Sequence, residues 1–260
     1  MSYETLVVQP EGQIAVVTFN RPPMNPINQR LTEELDRLLT EIENDNGIRA
    51  LILTGAGEKA FSAGADVAEF GEAFAEGRVK EAAMLRHRVF TRIERFPKPV
   101  IAAINGYAFG GGCELAMACH LRLIAEGASI GQPEINLGII PGYGGTQRLP
   151  RLIGRARAFE LLLLGDRVPA RRAAEIGLVN TVCAGASLLE EAKALARRLA
   201  QQAPVAVKMI IDSVNRGLET DIEKALEIEA DNVVLVSATE DAMEGVMAFL
   251  QKRPPEFKGR

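Results

Sequence analysis

Two carboxylates, Glu114 and Glu134, and the glycine run Gly110-Gly111-Gly112 carry the clearest chemical potential in this sequence. The glycines follow an apolar stretch at 100–105 and lead directly into Cys113-Glu114-Leu115-Ala116-Met117. A strand passing through glycines into a helix leaves backbone N–H groups unpaired at the positive end of the helix dipole. A carbonyl oxygen brought to Gly111 would be polarised there as it gains negative charge, which is half of an oxyanion hole. A close-packed turn that binds nothing fits the same three glycines equally well, and Glu114 in the first helical turn is also simply a good dipole partner. Glu134 follows Pro133 and precedes Ile135, Leu137, Ile139 and Ile140. A carboxylate in such apolar company needs a partner or a function. Two carboxylates converging on one water could divide general-base and general-acid work, each role worth on the order of 100- to 10,000-fold.

Upstream, Phe61-Ser62-Ala63-Gly64-Ala65-Asp66 follows an apolar segment at 50–54. Small residues on such a loop let a ligand approach the backbone, although an ordinary tight connection reads the same way. Gly55-Ala56-Gly57-Glu58-Lys59-Ala60 imitates a dinucleotide fingerprint, yet it runs on into that small-residue loop instead of opening an apolar crossover helix. Neither a P-loop nor a nucleophile-elbow pattern occurs.

The elements that must position these residues are legible from periodicity. Residues 14–19 read as a strand, Leu31, Leu35, Leu38, Leu39 and Ile42 mark a helix, and 50–54 reads as a buried strand, together a βαβ-like opening. A second helix is expected over 84–96, stopped by Pro97-Lys98-Pro99 before the strand at 100–105. From about Arg155 the pattern is mostly helical. Ser187 with Glu190 and Thr220 with Glu223 match capping boxes, and Gly165 and Gly217 stand where helices would stop. A soft boundary falls near Ala200, before Pro204, and no internal repeat of 20 to 50 residues stands out.

The chain has 260 residues, 47% hydrophobic and 25% charged, enough for a sizeable core. A net charge of -4 with scattered Lys and Arg argues against nucleic acid as the principal partner. Cys113, Cys119 and Cys183, with only His87 and His120 beside them, give no zinc spacing and read as buried thiols of a reducing compartment. The absence of a signal-peptide pattern and of long apolar runs leads to the expectation of a cytoplasmic protein with no membrane partner.

Three stretches together closely resemble the crotonase (enoyl-CoA hydratase/isomerase) superfamily: FSAGAD at 61–66, IAAINGYAFGGGCELAMAC at 101–119 and GQPEINLGIIPGYGGTQRLPRLIG at 131–154. Weaker matches at Asn20-Arg21-Pro22, Asn25-Pro26, 174–180 and 244–253 extend the likeness over nearly the whole chain. The resemblance implies an α/β fold, a spiral of ββα units over 1–200, followed by a C-terminal helical oligomerisation region over 201–260. It implies an acyl-CoA thioester substrate, no metal and no cofactor beyond the coenzyme A of the substrate, and a homotrimer or a hexamer made of two trimers. Carried over residue by residue, Ala65 and Gly111 supply the oxyanion hole, Glu114 the base that activates water, and Glu134 the acid that protonates Cα. Gly142 resembles a position that orders the water, Ala63 and Asp66 lie on the CoA loop, and Phe249 and Lys252 match C-terminal CoA contacts. His120 departs from the pattern, since the family commonly carries Asp after that Cys.

The expected activity is hydration of a 2-trans-enoyl-CoA. A double-bond isomerase usually needs only the carboxylate matching Glu134, so retention of both acids favours the hydratase. A branched or carboxylated enoyl-CoA would use the same pair. From other classes, some relatives bind RNA, which the net charge disfavours, and a non-catalytic acyl-CoA binder would be indifferent to loss of either glutamate.

Overall fold

The computed structural model describes residues 3–260. The chain opens with an antiparallel hairpin, β1 (Leu6–Glu11) and β2 (Ile14–Phe19), followed by α1 (Gln29–Asn44). Asn28 starts α1 by accepting the Leu31 N–H at 2.8 Å. The leucines expected on one face of α1 are buried.

Three strand-strand-helix turns come next. The first is β3 (Ala50–Gly55), β4 (Ala60–Ser62), α2 (Val67–Ala75) and α3 (Val79–Glu94). The second is β5 (Val100–Ile104), β6 (Tyr107–Phe109) and α4 (Gly111–Ala118). The third is β7 (Leu121–Ala125), β8 (Ser129–Gly131), a 3-10 turn at Pro133–Leu137, α5 (Gly145–Ile153) and α6 (Arg155–Leu164). Then follow β9 (Val168–Pro169), α7 (Ala170–Glu175), β10 (Thr181–Cys183) and α8 (Leu188–Ala200).

Each turn places its first strand in a six-stranded sheet of order β1-β2-β3-β5-β7-β10 and its second in a four-stranded sheet of order β4-β6-β8-β9. This is the expected ββα spiral. From β2 onward the larger sheet is parallel. Every residue of β3 and β5 is buried, which is why these segments read as unbroken apolar runs. α8 packs across β2, β3, β5 and β7. The small sheet matters most for function. β4, β6 and β8 are parallel neighbours, so the loops leaving their carboxyl ends, with the three motifs, emerge side by side.

The last helices are α9 (Pro204–Gly217), α10 (Ile222–Ser237) and α11 (Glu240–Leu250), with α9 and α10 packed as a pair. Some local expectations are corrected. α3 begins at Val79, because Val-Lys-Glu-Ala-Ala extends the helix without adding to the apolar stripe that marked it. Ser187 does not cap α8. It closes a 3-10 turn with φ -100° and ψ -9°, not the extended geometry a cap requires, and its hydroxyl donates to Glu191. α10 is capped one residue later than expected, by Asp221, which accepts the Lys224 N–H at 2.8 Å. Gly165 stops α6 in the left-handed region, whereas Gly217 is the last helical residue of α9.

Candidate active site

The loop after β4 is pinned on one side. The Ala63 N–H donates to the Met24 carbonyl at 2.9 Å, Ile27 N–H to Gly64 at 2.8 Å, and Asp66 N–H to Ile27 at 3.0 Å. Ala65 N–H points elsewhere and finds no acceptor among the described residues. Gly111, the first residue of α4, is in the same condition because its N–H precedes the first intrahelical bond, which runs from Glu114 N–H to the Gly110 carbonyl. A methyl group built on Gly111 would lie 3.4 Å from the Ala65 nitrogen. Two donors without acceptors thus border one small space. Gly110 has φ +52°, and a methyl group there would meet a Glu134 oxygen at 2.8 Å, so only glycine lets that carboxylate lie so close to the helix entrance.

Glu114 is buried, 1% exposed, on the first turn of α4. Its Oε1 accepts the N–H groups of Tyr143 and Gly145, both at 2.7 Å. Burial pushes its pKa up to about 7 against those two donors, and the charge of Glu134 raises it further. Its Oε2 has no partner among the described residues and is the oxygen free to take a proton. Glu134, on the 3-10 turn, is also pushed up to about 7 by burial. Both carboxylates stand near the pH at which a group can either give or accept a proton.

Three residues not singled out from the sequence complete the setting. Gln132 is 1% exposed and, with its amide nitrogen turned to the carboxylate, donates to both Glu134 oxygens at 3.0 Å. Arg148 donates to the Tyr143 carbonyl at 3.1 Å and, from two nitrogens, to Glu94 at 2.9 and 3.2 Å, bracing the loop whose N–H groups hold Glu114. The Tyr143 ring lies against Gly111, 2.9 Å from where its methyl group would be. Gln132 and Arg148 both fall inside quoted motifs, but a polar residue beside Pro and an arginine in a helix give no signal of what they touch.

Residues 9–260 match the family model described as Enoyl-CoA hydratase/isomerase. This chain belongs to the enoyl-CoA hydratase/isomerase family. It is 45% identical to the short-chain-enoyl-CoA hydratase of Clostridium acetobutylicum over the full length of both, and 45% identical to the crotonyl-CoA hydratase of Syntrophomonas wolfei over 99% of each. The crystal structure of an enoyl-CoA hydratase from Bacillus anthracis superposes with a TM-score of 0.95 at 42% identity, covering 99% of this chain and 100% of that one.

Within this family frame, the structure brings Ala65, Gly111, Glu114, Glu134 and the loop containing Gly142 together, with Ala63 and Asp66 on the same loop as Ala65. Asp66 is held by Arg21 at 2.9 Å and caps α2. Phe249 and Lys252 are not joined to the site by any hydrogen bond or pocket wall among the described residues. They close α11, where Phe249 is 83% exposed. His120 lies outside the site: its Nδ1 accepts the Val100 N–H at 2.9 Å and its Nε2 faces the Glu94 carbonyl at 3.1 Å, tying β5 to the end of α3. The three cysteines are buried, and no group of metal-ligating side chains occurs among the described residues.

Proposed function

We propose that this chain is an enoyl-CoA hydratase, adding water reversibly across the double bond of a 2-trans-enoyl-CoA to give the 3-hydroxyacyl-CoA. The observation that carries the reading is the pair of buried carboxylates, Glu114 and Glu134, beside the two acceptor-free N–H groups of Ala65 and Gly111. The thioester carbonyl accepts from both N–H groups, so the charge that develops as Cβ is attacked is stabilised on oxygen; one such donor is worth roughly 100- to 1,000-fold. Glu114 Oε2 takes a proton from water as its oxygen bonds to Cβ, and Glu134 returns a proton to Cα. The addition is redox-neutral, so these side chains and the substrate's own coenzyme A suffice.

Ala63, Asp66, Phe249 and Lys252 are proposed CoA contacts, and Gly142 a contact that orders the water. An isomerase needs a single carboxylate to move one proton between carbons, and the presence of Glu114 with a free oxygen favours hydration. The 201–260 helices are proposed as the assembly region of a trimer or a hexamer of two trimers. Exposed Val233, Val234, Met243, Val246, Phe249 and Leu250 on α10 and α11 support that. No helix among the described residues is long and apolar enough to cross a membrane, and a cytoplasmic location is proposed.

The test follows the ultraviolet absorbance of crotonyl-CoA on mixing with the protein. Loss of absorbance that falls by at least about 100-fold in both Glu114→Gln and Glu134→Gln supports the two-carboxylate hydratase. Persistent absorbance with wild-type protein refutes it for this substrate.

A further inference from the structure

Asn215 is a half-buried residue of α9, one of the three helices proposed for assembly, yet its side chain is bonded to the spiral core. Its Nδ2 donates to the Glu94 carbonyl at 2.6 Å. Glu94 is the last residue of α3, so its carbonyl lies past the final intrahelical bond. The residue three positions on is Pro97, which has no N–H to offer, and no backbone N–H among the described residues donates to this oxygen. Two side chains serve it instead: Asn215 from α9, and His120, whose Nε2 faces it at 3.1 Å. The end of α3 is thus closed from outside the helix.

The side chain of Glu94 leads inward. Its carboxylate accepts from two Arg148 nitrogens at 2.9 and 3.2 Å, and Thr91, one turn earlier on α3, accepts from Arg148 at 3.2 Å. Arg148 in turn donates to the Tyr143 carbonyl at 3.1 Å, and the N–H groups of Tyr143 and Gly145 hold Glu114 Oε1 at 2.7 Å. A guanidinium is a planar, stiff fork, so a displacement of its carboxylate partner is carried to the group on its far side. From Asn215 to Glu114 every link is either a hydrogen bond of 3.2 Å or shorter or the body of a single residue. A second tie joins the end of α3 to the turn after α9, where Arg95 donates to both Glu219 oxygens at 2.8 and 3.1 Å. Both of its partners are more than half exposed, and an ion pair of that kind contributes little.

We propose that Asn215 is a positioning residue for the catalytic base: by capping the end of α3 it holds Glu94, and through Arg148 and Tyr143 it fixes Glu114. The seating of the C-terminal helices on the core is thereby felt in the chemical step. The proposal rests on the hydratase reading for the reaction assayed, while the held geometry can be measured apart from it.

The experiment measures steady-state kinetics on crotonyl-CoA for wild type, Asn215→Leu, Arg148→Met, the double variant and Glu219→Ala. A shift of about 1 Å at a reacting group can cost on the order of 100-fold, and the loss of one cap at the far end of the path is expected to lower kcat by about 3- to 10-fold with KM little changed. Residues on one path are not additive, so the double variant is expected to match Arg148→Met alone. Glu219→Ala, which breaks the second tie and leaves the amide in place, is expected to keep the wild-type kcat. An unchanged kcat in Asn215→Leu, a loss confined to KM, losses that multiply in the double variant, or an equal loss in Glu219→Ala overturns the proposal. Should Asn215→Leu not fold, Asn215→Asp keeps the shape without the donor and is expected to show the same fall in kcat. If wild type does not hydrate crotonyl-CoA, the hydratase reading fails by itself. Hydrogen exchange of the segment 141–148, followed by mass spectrometry, then decides: faster exchange in the Asn215 variant supports the path, and an unchanged rate sinks it.

Discussion

Tyr143 and Glu114 are joined by a 2.7 Å hydrogen bond from the backbone N–H of one to Oε1 of the other, and the Tyr143 carbonyl is itself held by Arg148 at 3.1 Å. The loop that fixes the base is thus braced from behind by a guanidinium that never reaches the substrate space. Arg148→Met would release the Tyr143 carbonyl and leave Glu94 without its partner. A misplacement of about 1 Å at a reacting group can cost on the order of 100-fold. A fall in kcat of roughly 10- to 100-fold with little change in KM is expected in steady-state kinetics on crotonyl-CoA. An effect confined to KM would show that Arg148 does not act through Glu114.

Activity should depend on pH in a bell shape. Glu114 must be ionised to accept a proton and Glu134 protonated to give one, and burial brings both to about 7. Such a pair titrates with apparent values that belong to both groups. The profile of kcat/KM is expected to peak near neutral pH and fall on either side. A plateau from pH 5 to 9 would remove the acid/base roles.

Stability should carry the opposite signature of the same burial. Glu114 binds its proton more tightly folded, at about 7, than its ordinary value of 4.5. The folded state is therefore favoured below 4.5 and loses that advantage as pH rises through 7. The shift corresponds to roughly 3 kcal/mol at full ionisation. Glu114→Gln, which keeps an oxygen for the Tyr143 and Gly145 donors, is expected to stabilise the fold at pH 8 and to change it little at pH 4. Chemical denaturation at the two values decides it.

His120 should not titrate near neutrality. Burial lowers its pKa to about 4, with Arg122 acting in the same direction and the Glu94 carbonyl opposing. Because the folded value lies below the ordinary 6.5, its contribution to stability is intact above 6.5 and is lost as pH falls towards 4. NMR of the imidazole should report a neutral ring at pH 5.5 with the proton on Nε2, since Nδ1 is occupied as an acceptor. A midpoint above 6 would contradict this.

Gly112 is a packing requirement rather than a catalytic one. A methyl group there would stand 2.0 Å from the Ser62 carbonyl oxygen, a backbone atom that cannot swing aside. Gly112→Ala is expected to destabilise by about 1–3 kcal/mol, the usual range for overpacking, in thermal unfolding. It also pushes β4 away from α4, so activity should fall in the same variant.

Much of this protein is local and therefore written in the sequence. The apolar runs of β3 and β5 are too short for a buried helix and are bounded by glycine or proline, so they read as buried strands, and the leucine stripe of α1 fixes its inward face. The order of FSAGAD, the glycine run and GQPE already separates the three loops that build the site. Helix starts were less legible. The residues that open α3 form helix without an apolar stripe, and Ser187 has the right chemistry for a cap on the wrong backbone. What only the tertiary structure decided is which polar groups meet. The parallel neighbours β4, β6 and β8 bring Ala65, Gly111 and Glu134 into one place although the sequence holds them far apart. Gln132 faces Glu134, Arg148 braces the loop on Glu114, and Asn215 caps the end of α3 from a helix far along the chain. Periodicity reports which face of an element is inside; it carries nothing about the partner found there, because that depends on how separate elements cross.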